Sequence, residues 1–168
     1  ATLRNLQYEN SETVTPHFSL GSKWTPSQRV EWSAIAYAGA RNPTLNELYR
    51  PYRAGDVVTL ANPALRQEST VGGEVGVKIN PTEALELHLR AFENRIQDAI
   101  ANINEVRGPG VIGDWGFLSA GGIGARRENI DSVDLRGLEA RLEWKLDRLL
   151  TVAASWLGTQ SEVRHCTV

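Results

Sequence analysis

Apolar and polar residues alternate with a period of two over about six stretches of the chain, as strands with one covered and one wet face require. These stretches are residues 13–24, 29–40, 69–79, 84–94, 129–144 and 149–158. In the first, Phe18, Leu20 and Trp24 oppose His17, Ser19, Gly21 and Lys23. In the fourth, Leu85, Leu87, Leu89 and Ala91 oppose Glu86, His88 and Arg90. In the fifth, Leu138, Ala140, Leu142 and Trp144 oppose Glu139, Arg141 and Glu143. The polar face is heavily charged, which suits a water-filled interior; a soluble sheet with one solvated face gives the same pattern.

The joints alternate in length. Thr25-Pro26-Ser27-Gln28, Asn80-Pro81-Thr82-Glu83 and Lys145-Leu146-Asp147-Arg148 are tight and rich in turn formers. The second and fourth joints each run to roughly 30 residues, far beyond the usual loop of a compact domain. Short turns on one side and long loops on the other are the signature of an outer-membrane barrel. Trp24, Trp32 and Trp144 flank the tight turns, where a barrel places a level girdle of aromatics and a soluble sheet places core. A helical reading competes locally. Leu135, Leu138, Leu142, Leu146 and Leu149, and also Leu85, Leu89, Phe92, Ile96 and Ile100, keep helical spacing. Gly137 and the β-branched flanks lean toward strand.

Composition narrows the function. Net charge is -2, and no basic face points to nucleic acid. No apolar run is long enough for a transmembrane helix, a test blind to barrels. The chain starts at Ala1 without a signal peptide and contains no Met, so a piece of a longer chain is expected. The lone Cys166 excludes an internal disulfide and a cysteine-pair zinc site. His17, His88 and His165 show no metal-ligand spacing, and hydrogen bonding on the polar face is the expected role of the first two. Glu139, Arg141 and Glu143 read as a solvated charge ladder. The glycines from Gly108 to Gly124 lack the Gly-Lys-Ser/Thr ending of a phosphate loop and read as a mobile loop. Within that loop, packing is favoured over ligand contact for Trp115 and Phe117. Neither catalysis nor a cofactor is expected.

The second joint holds Arg41-Asn42-Pro43-Thr44-Leu45-Asn46-Glu47-Leu48-Tyr49-Arg50-Pro51. It predicts a short helix capped by Asn42, with Pro43 at its first position and Pro51 ending it. This segment resembles the R-x-P-T-L-x-E-L-Y motif that follows a barrel strand in TonB-dependent receptors. Three more segments resemble that family in order: Asn62-Pro63-Ala64-Leu65-Arg66-Gln67-Glu68; the strand end from Phe92 through Asn94, Ile96 and Asp98 to Ile100; and Glu128-Asn129-Ile130 followed by Arg136-Gly137-Leu138-Glu139. The ordered matches tip the ambiguous segments to strand.

The resemblance implies an all-β fold, an antiparallel up-and-down meander of about six long strands in the wall of a transmembrane barrel of roughly 22 strands. It implies a section from the C-terminal part of the barrel, cut at both ends, because family barrels end on an aromatic residue and Val168 does not fit. On that reading residues 1–168 are all barrel. The plug domain that fills the lumen, and the segment that engages an inner-membrane energy-coupling complex, are expected elsewhere in the parent. The implied function is uptake of a siderophore, cobalamin or another large nutrient across the bacterial outer membrane, with lipid around the barrel. Arg41, Pro43, Thr44, Leu45, Glu47, Leu48 and Tyr49 form the family-motif loop, for which a structural role is preferred. Arg50, Tyr52, Arg53 and Trp115 are the candidate ligand contacts, since cations and rings suit an anionic chelate. A plugless porin-like barrel and a soluble β-rich binding module are the rival readings.

Overall fold

In the computed structural model, which describes residues 14–164, all six alternating stretches form strands. In chain order the elements are β1 (Phe18–Ser27), β2 (Val30–Arg41), the helix α1 (Leu45–Tyr49), β3 (Tyr52–Ala54), β4 (Val57–Leu60), β5 (Glu68–Thr82), β6 (Leu85–Arg107), β7 (Gly110–Ile112), β8 (Gly116–Leu118), β9 (Ile123–Lys145) and β10 (Thr151–Arg164). A single 3-10 turn, Gly113–Trp115, links β7 to β8. The first strand begins at Phe18 rather than near its predicted start at Thr13, which, together with His165, Cys166 and Val168, lies outside the described residues.

One antiparallel sheet carries the fold, in the order β1-β2-β5-β6-β9-β10. Each long strand pairs with the next in sequence, so the sheet is a meander; β1 and β10 are its open edges. The side with the three tight turns is called lower here. Period two holds through the register, and a slip of one residue would invert every side chain. Thus Leu89 lies opposite Val77 on one side and Ala140 on the other, all on the apolar face. That face is uncovered: Leu20 is 79% exposed and Leu89 51%. The opposite face carries the pairs Lys23–Glu31, Lys78–Glu86, Arg90–Glu74 and Arg141–Glu143. His88 joins Glu86 there through Nε2, at 2.6 Å.

The apolar face has an upper limit. Above Ala91, Leu138 and Gly158, the same side of the sheet turns to Glu93 and Arg95 on β6, Arg136 and Asp134 on β9, and Gln160 and Arg164 on β10. Arg95 Nε donates to Asp134 Oδ1 at 2.7 Å, and Arg164 Nε stands 2.6 Å from Asp134 Oδ2. Arg136 Nη2 donates to Gln160 Oε1 at 2.9 Å.

The structure corrects several sequence boundaries. The predicted fourth strand, 84–94, runs on as β6 to Arg107, and the predicted fifth begins at Ile123 rather than Asn129. These extensions pair with each other almost without break. Mixed residues such as Asn102-Ile103-Asn104 and Arg126-Arg127-Glu128 therefore belong to a ladder, although their alternation is poor. The fourth joint shrinks accordingly to residues 108–122. The sixth strand reaches Arg164, beyond its predicted end at Gly158. Side chains buried from solvent, among the described residues, are confined to the upper end: Val58, Thr59, Leu65, Ala99, Leu118, Ala125 and Arg127.

Candidate functional site

The upper end gathers every predicted site residue into one cap built from the two long loops. Residues 42–67 leave β2 and cross to the far edge of β9, where β4 pairs in parallel, Val57 opposite Ile123 through Leu60 opposite Arg126. β10 occupies the same edge of β9 lower down, from Ser132 to Lys145. A parallel partner needs a long crossover, and this loop supplies one.

The helix α1 starts two residues later than the sequence suggests. Thr44, not Asn42, is the N-cap: its Oγ1 accepts from Glu47 N at 3.3 Å, and Glu47 Oε2 accepts from Thr44 N at 2.7 Å. This reciprocal capping box satisfies two otherwise orphaned donors, which Asn42 had no Glu at the right spacing to do. Pro43 precedes the cap, and Asn42 Oδ1 instead accepts from Gln67 Nε2 at 2.9 Å. Arg41 ties the box to the sheet, donating from Nη1 to Glu47 Oε2 at 3.1 Å and from Nε to the Glu68 carboxylate. Partial burial pulls the Glu47 carboxyl upward, but the Arg41 guanidinium and the Thr44 donors outweigh it and hold the group down at about 2. Leu48 and Tyr49 are half-buried, whereas Leu45 stands in the open at 76% exposure.

The lower side of α1 rests on Arg127 of β9, a residue that no motif or pattern in the chain singles out. Its guanidinium is buried (8% exposed) and donates from Nη1 to Asn46 O at 2.6 Å and to Arg50 O at 3.1 Å. A cation under the last carbonyls of a helix meets their negative dipole end. The Tyr52 ring covers the same guanidinium at 5.1 Å. Asn129, two residues on, accepts from Arg66 N at 2.8 Å and donates to Asp98 O at 2.6 Å, which pins the loop's return to β6. Asn129 did carry a signal, because it sits in the fourth family-like segment. Arg127 acts through backbone carbonyls far away in sequence, and no side-chain pattern announces that.

The four candidate ligand contacts fare differently. Arg53 Nη2 donates to Phe117 O at 2.6 Å, Tyr52 stacks on Arg127, and Trp115 Nε1 donates to Ala125 O at 3.0 Å. The Trp115 ring also lies over Gly124, where an added Cβ would meet Cδ1 at 2.7 Å, and Arg126 stands 5.4 Å from its centroid. Trp115 is thus packed, as favoured above, whereas the Phe117 side chain, for which packing is equally favoured, stands 63% exposed. The Arg50 guanidinium alone of the four is exposed with no partner among the described residues. The glycine-rich joint is folded rather than loose: Leu118 is fully buried, and Ser119 Oγ donates to Asp56 Oδ1 at 2.5 Å. Among the described residues no cluster of His, Cys, Asp or Glu could hold a metal ion, and no helix is long and apolar enough to cross a membrane.

A tight-turned meander, apolar on one face, with long folded loops at one end is the geometry of an outer-membrane barrel wall. Residues 2–164 match the family model for the TonB dependent receptor-like beta-barrel. The chain belongs to the TonB-dependent receptors. It is 29% identical over 122 residues to the vitamin B12 transporter BtuB of Vibrio vulnificus (strain YJ016), covering 73% of this chain and 16% of that protein. The siderophore receptor PirA from Pseudomonas aeruginosa superposes with a TM-score of 0.71 at 18% identity, covering 88% of this chain and 28% of PirA. The FrpB iron transporter from Neisseria meningitidis (F3-3 variant) gives 0.58 at 18% identity, covering 86% of this chain and 19% of FrpB. This TonB-dependent receptor chain therefore spans a small part of the length of the relatives it matches. The strand assignment of the two helix-like segments holds: Leu85 to Ile100 lie in β6 and Leu135 to Leu142 in β9, with Leu146 and Leu149 in the turn beyond.

Proposed function

We propose that this chain is a section of the barrel wall of an energy-coupled transporter in the bacterial outer membrane, one that imports a metal chelate or a vitamin such as cobalamin. The family match over residues 2–164 carries this reading. The relatives divide among vitamin B12, siderophore and iron. In this reading the parent also holds a plug domain within the lumen and a segment that engages the inner-membrane energy-coupling complex. Lipid covers the apolar face, and the charged face lines the lumen around the plug.

The cap supports a division of labour within the site. The motif residues Arg41, Pro43, Thr44, Glu47, Leu48 and Tyr49 shape the loop. Tyr52, Arg53 and Trp115 brace it through their contacts with Arg127, Phe117 and Ala125. Arg50, exposed and unengaged, is the cation left to meet an anionic chelate, which charge-assisted hydrogen bonds would favour.

The test is uptake by cells that lack other receptors and express the full-length protein. Accumulation of cobalamin or of a ferric siderophore, abolished by a protonophore, is the expected result. Protonophore-insensitive leakage of small solutes, with no accumulation, would instead mark a passive porin and end the energy-coupled reading.

A further inference from the structure

The structure assigns the two long loops, residues 42–67 and 108–122, to one preformed body clamped on β9, rather than to two lids that move independently. Two side-chain hydrogen bonds link the loops at the surface, and a backbone bond ties the first loop to the start of β9. Arg53 Nη2 reaches Phe117 O at 2.6 Å, and Ser119 Oγ reaches Asp56 Oδ1 at 2.5 Å. Ile123 N donates to Asp56 O at 3.0 Å, so the first residue of β9 hangs on the β3–β4 hairpin. Gly108 N and Gly122 O close the second loop on itself at 2.9 Å.

The body has a dry centre. Leu118 from the second loop is 0% exposed, Thr59 from the first 1%, and Ala125 from β9 1%. Opening either loop alone would wet Leu118 and strand buried backbone groups, whose desolvation penalty is then unrepaid. The clamp to the wall is equally backbone-based. β4 adds a parallel ladder to β9, and Arg127 holds α1 from below. The hydrogen bonds between the loops are exposed, so it is the shared dry centre of Leu118, Thr59 and Ala125 that makes the two loops open together. This inference does not depend on which ligand the receptor takes.

Hydrogen exchange on the full-length receptor in detergent tests it. The amides of β4, of β8 and of Ile123 are expected to open at one common rate. Leu118→Ala should raise that rate at least tenfold in both loops at once, while the amides of β5 stay slow. Distinct rates for β4 and β8 in the unmodified protein would overturn the inference, as would a Leu118→Ala effect confined to the second loop. A thiol bridge between D56C and S119C gives a second measurement. It should form without disturbing exchange in β9, and a bridge that speeds β9 opening would show that the loops must part. Should the Leu118→Ala barrel fail to assemble, the rates of the unmodified receptor decide alone.

Discussion

At the scale of single residues the cap depends on two charges that do opposite jobs. Arg127 is buried with backbone carbonyls as its acceptors and Tyr52 stacked on its plane, so its value lies in the planar group as well as the charge. Arg127→Ala is expected to cost about 3 kcal/mol of local stability, the scale of hydrogen bonds from a charged donor. Arg127→Lys should recover only part of it. Faster exchange of the α1 amides is the readout, with the amides of lower β9 as the unaffected control. Glu47 is the half-buried counterpart, and its sign is set by its folded value of about 2 against an ordinary 4.5. A depressed carboxyl stabilises above its unfolded value and loses that contribution as pH falls through the folded one. The capping box should therefore hold from neutral pH down to about 4.5 and weaken between there and about 2. Glu47→Gln should flatten that dependence in the same exchange measurement.

At the scale of elements, strands of the wall fit because aromatic rings lie over cross-strand glycines. Phe92 faces Gly137 and Tyr37 faces Gly72 in register. A Cβ on Gly137 would meet Phe92 Cζ at 2.5 Å and the Gly158 carbonyl at 2.7 Å, and the backbone cannot yield. Gly137→Ala is expected to destabilise the barrel by about 1–3 kcal/mol, the usual cost of overpacking. Loss of the heat-resistant folded band of the full-length receptor at a lower temperature would register it. Where such packing is regular, the sequence was readable. The lower halves of the strands came through because alternation is clean from Leu85 to Ala91 and from Leu138 to Trp144. The upper halves did not, because Asn102, Asn104, Arg126 and Glu128 are held by ladder hydrogen bonds that period two does not encode. The β4–β9 pair was invisible for a related reason. Its partners lie in separate loops, and Val57-Val58-Thr59-Leu60 is too short to show a period. The site was legible as a motif, but its anchors were legible only in part, Asn129 through its motif and Arg127 not at all.

At the scale of the whole molecule, with lipid on the apolar face as proposed, the upper limit of that face sets how far the wall sits in the membrane. Three Trp residues near the turns mark the lower limit. Trp24 and Trp32 are register partners, and Trp144 sits three strand steps from Trp32 and four residues lower on its strand than Ala140, which shares the Trp32 row. In a wall tilted by about 45°, three steps of roughly 4.8 Å and four residues of roughly 3.3 Å displace height by similar amounts, so the three rings share one level. Single cysteines on the full-length receptor in intact cells test both limits. A cysteine at Leu89 should resist a water-soluble maleimide, and one at Arg95 or Arg164 should react. Equal labelling at Leu89 and Arg95 would remove the boundary. The chain on its own should aggregate without detergent, because the apolar face and both edges stay open. A monodisperse, cooperatively melting monomer in scattering and calorimetry would contradict that.

The crossover that brings β4 to β9 also imposes an order of assembly. Every other pairing in the main sheet joins strands that follow one another around the wall or across a short turn, and can zip as the chain is laid down. β4 has no partner at the edge of β9 until β5, β6 and β9 have formed in register between them. Distant contacts wait for the loop closure that precedes them. The cap thus closes after β5, β6 and β9, and a closed cap reports that these three strands are in register beneath it.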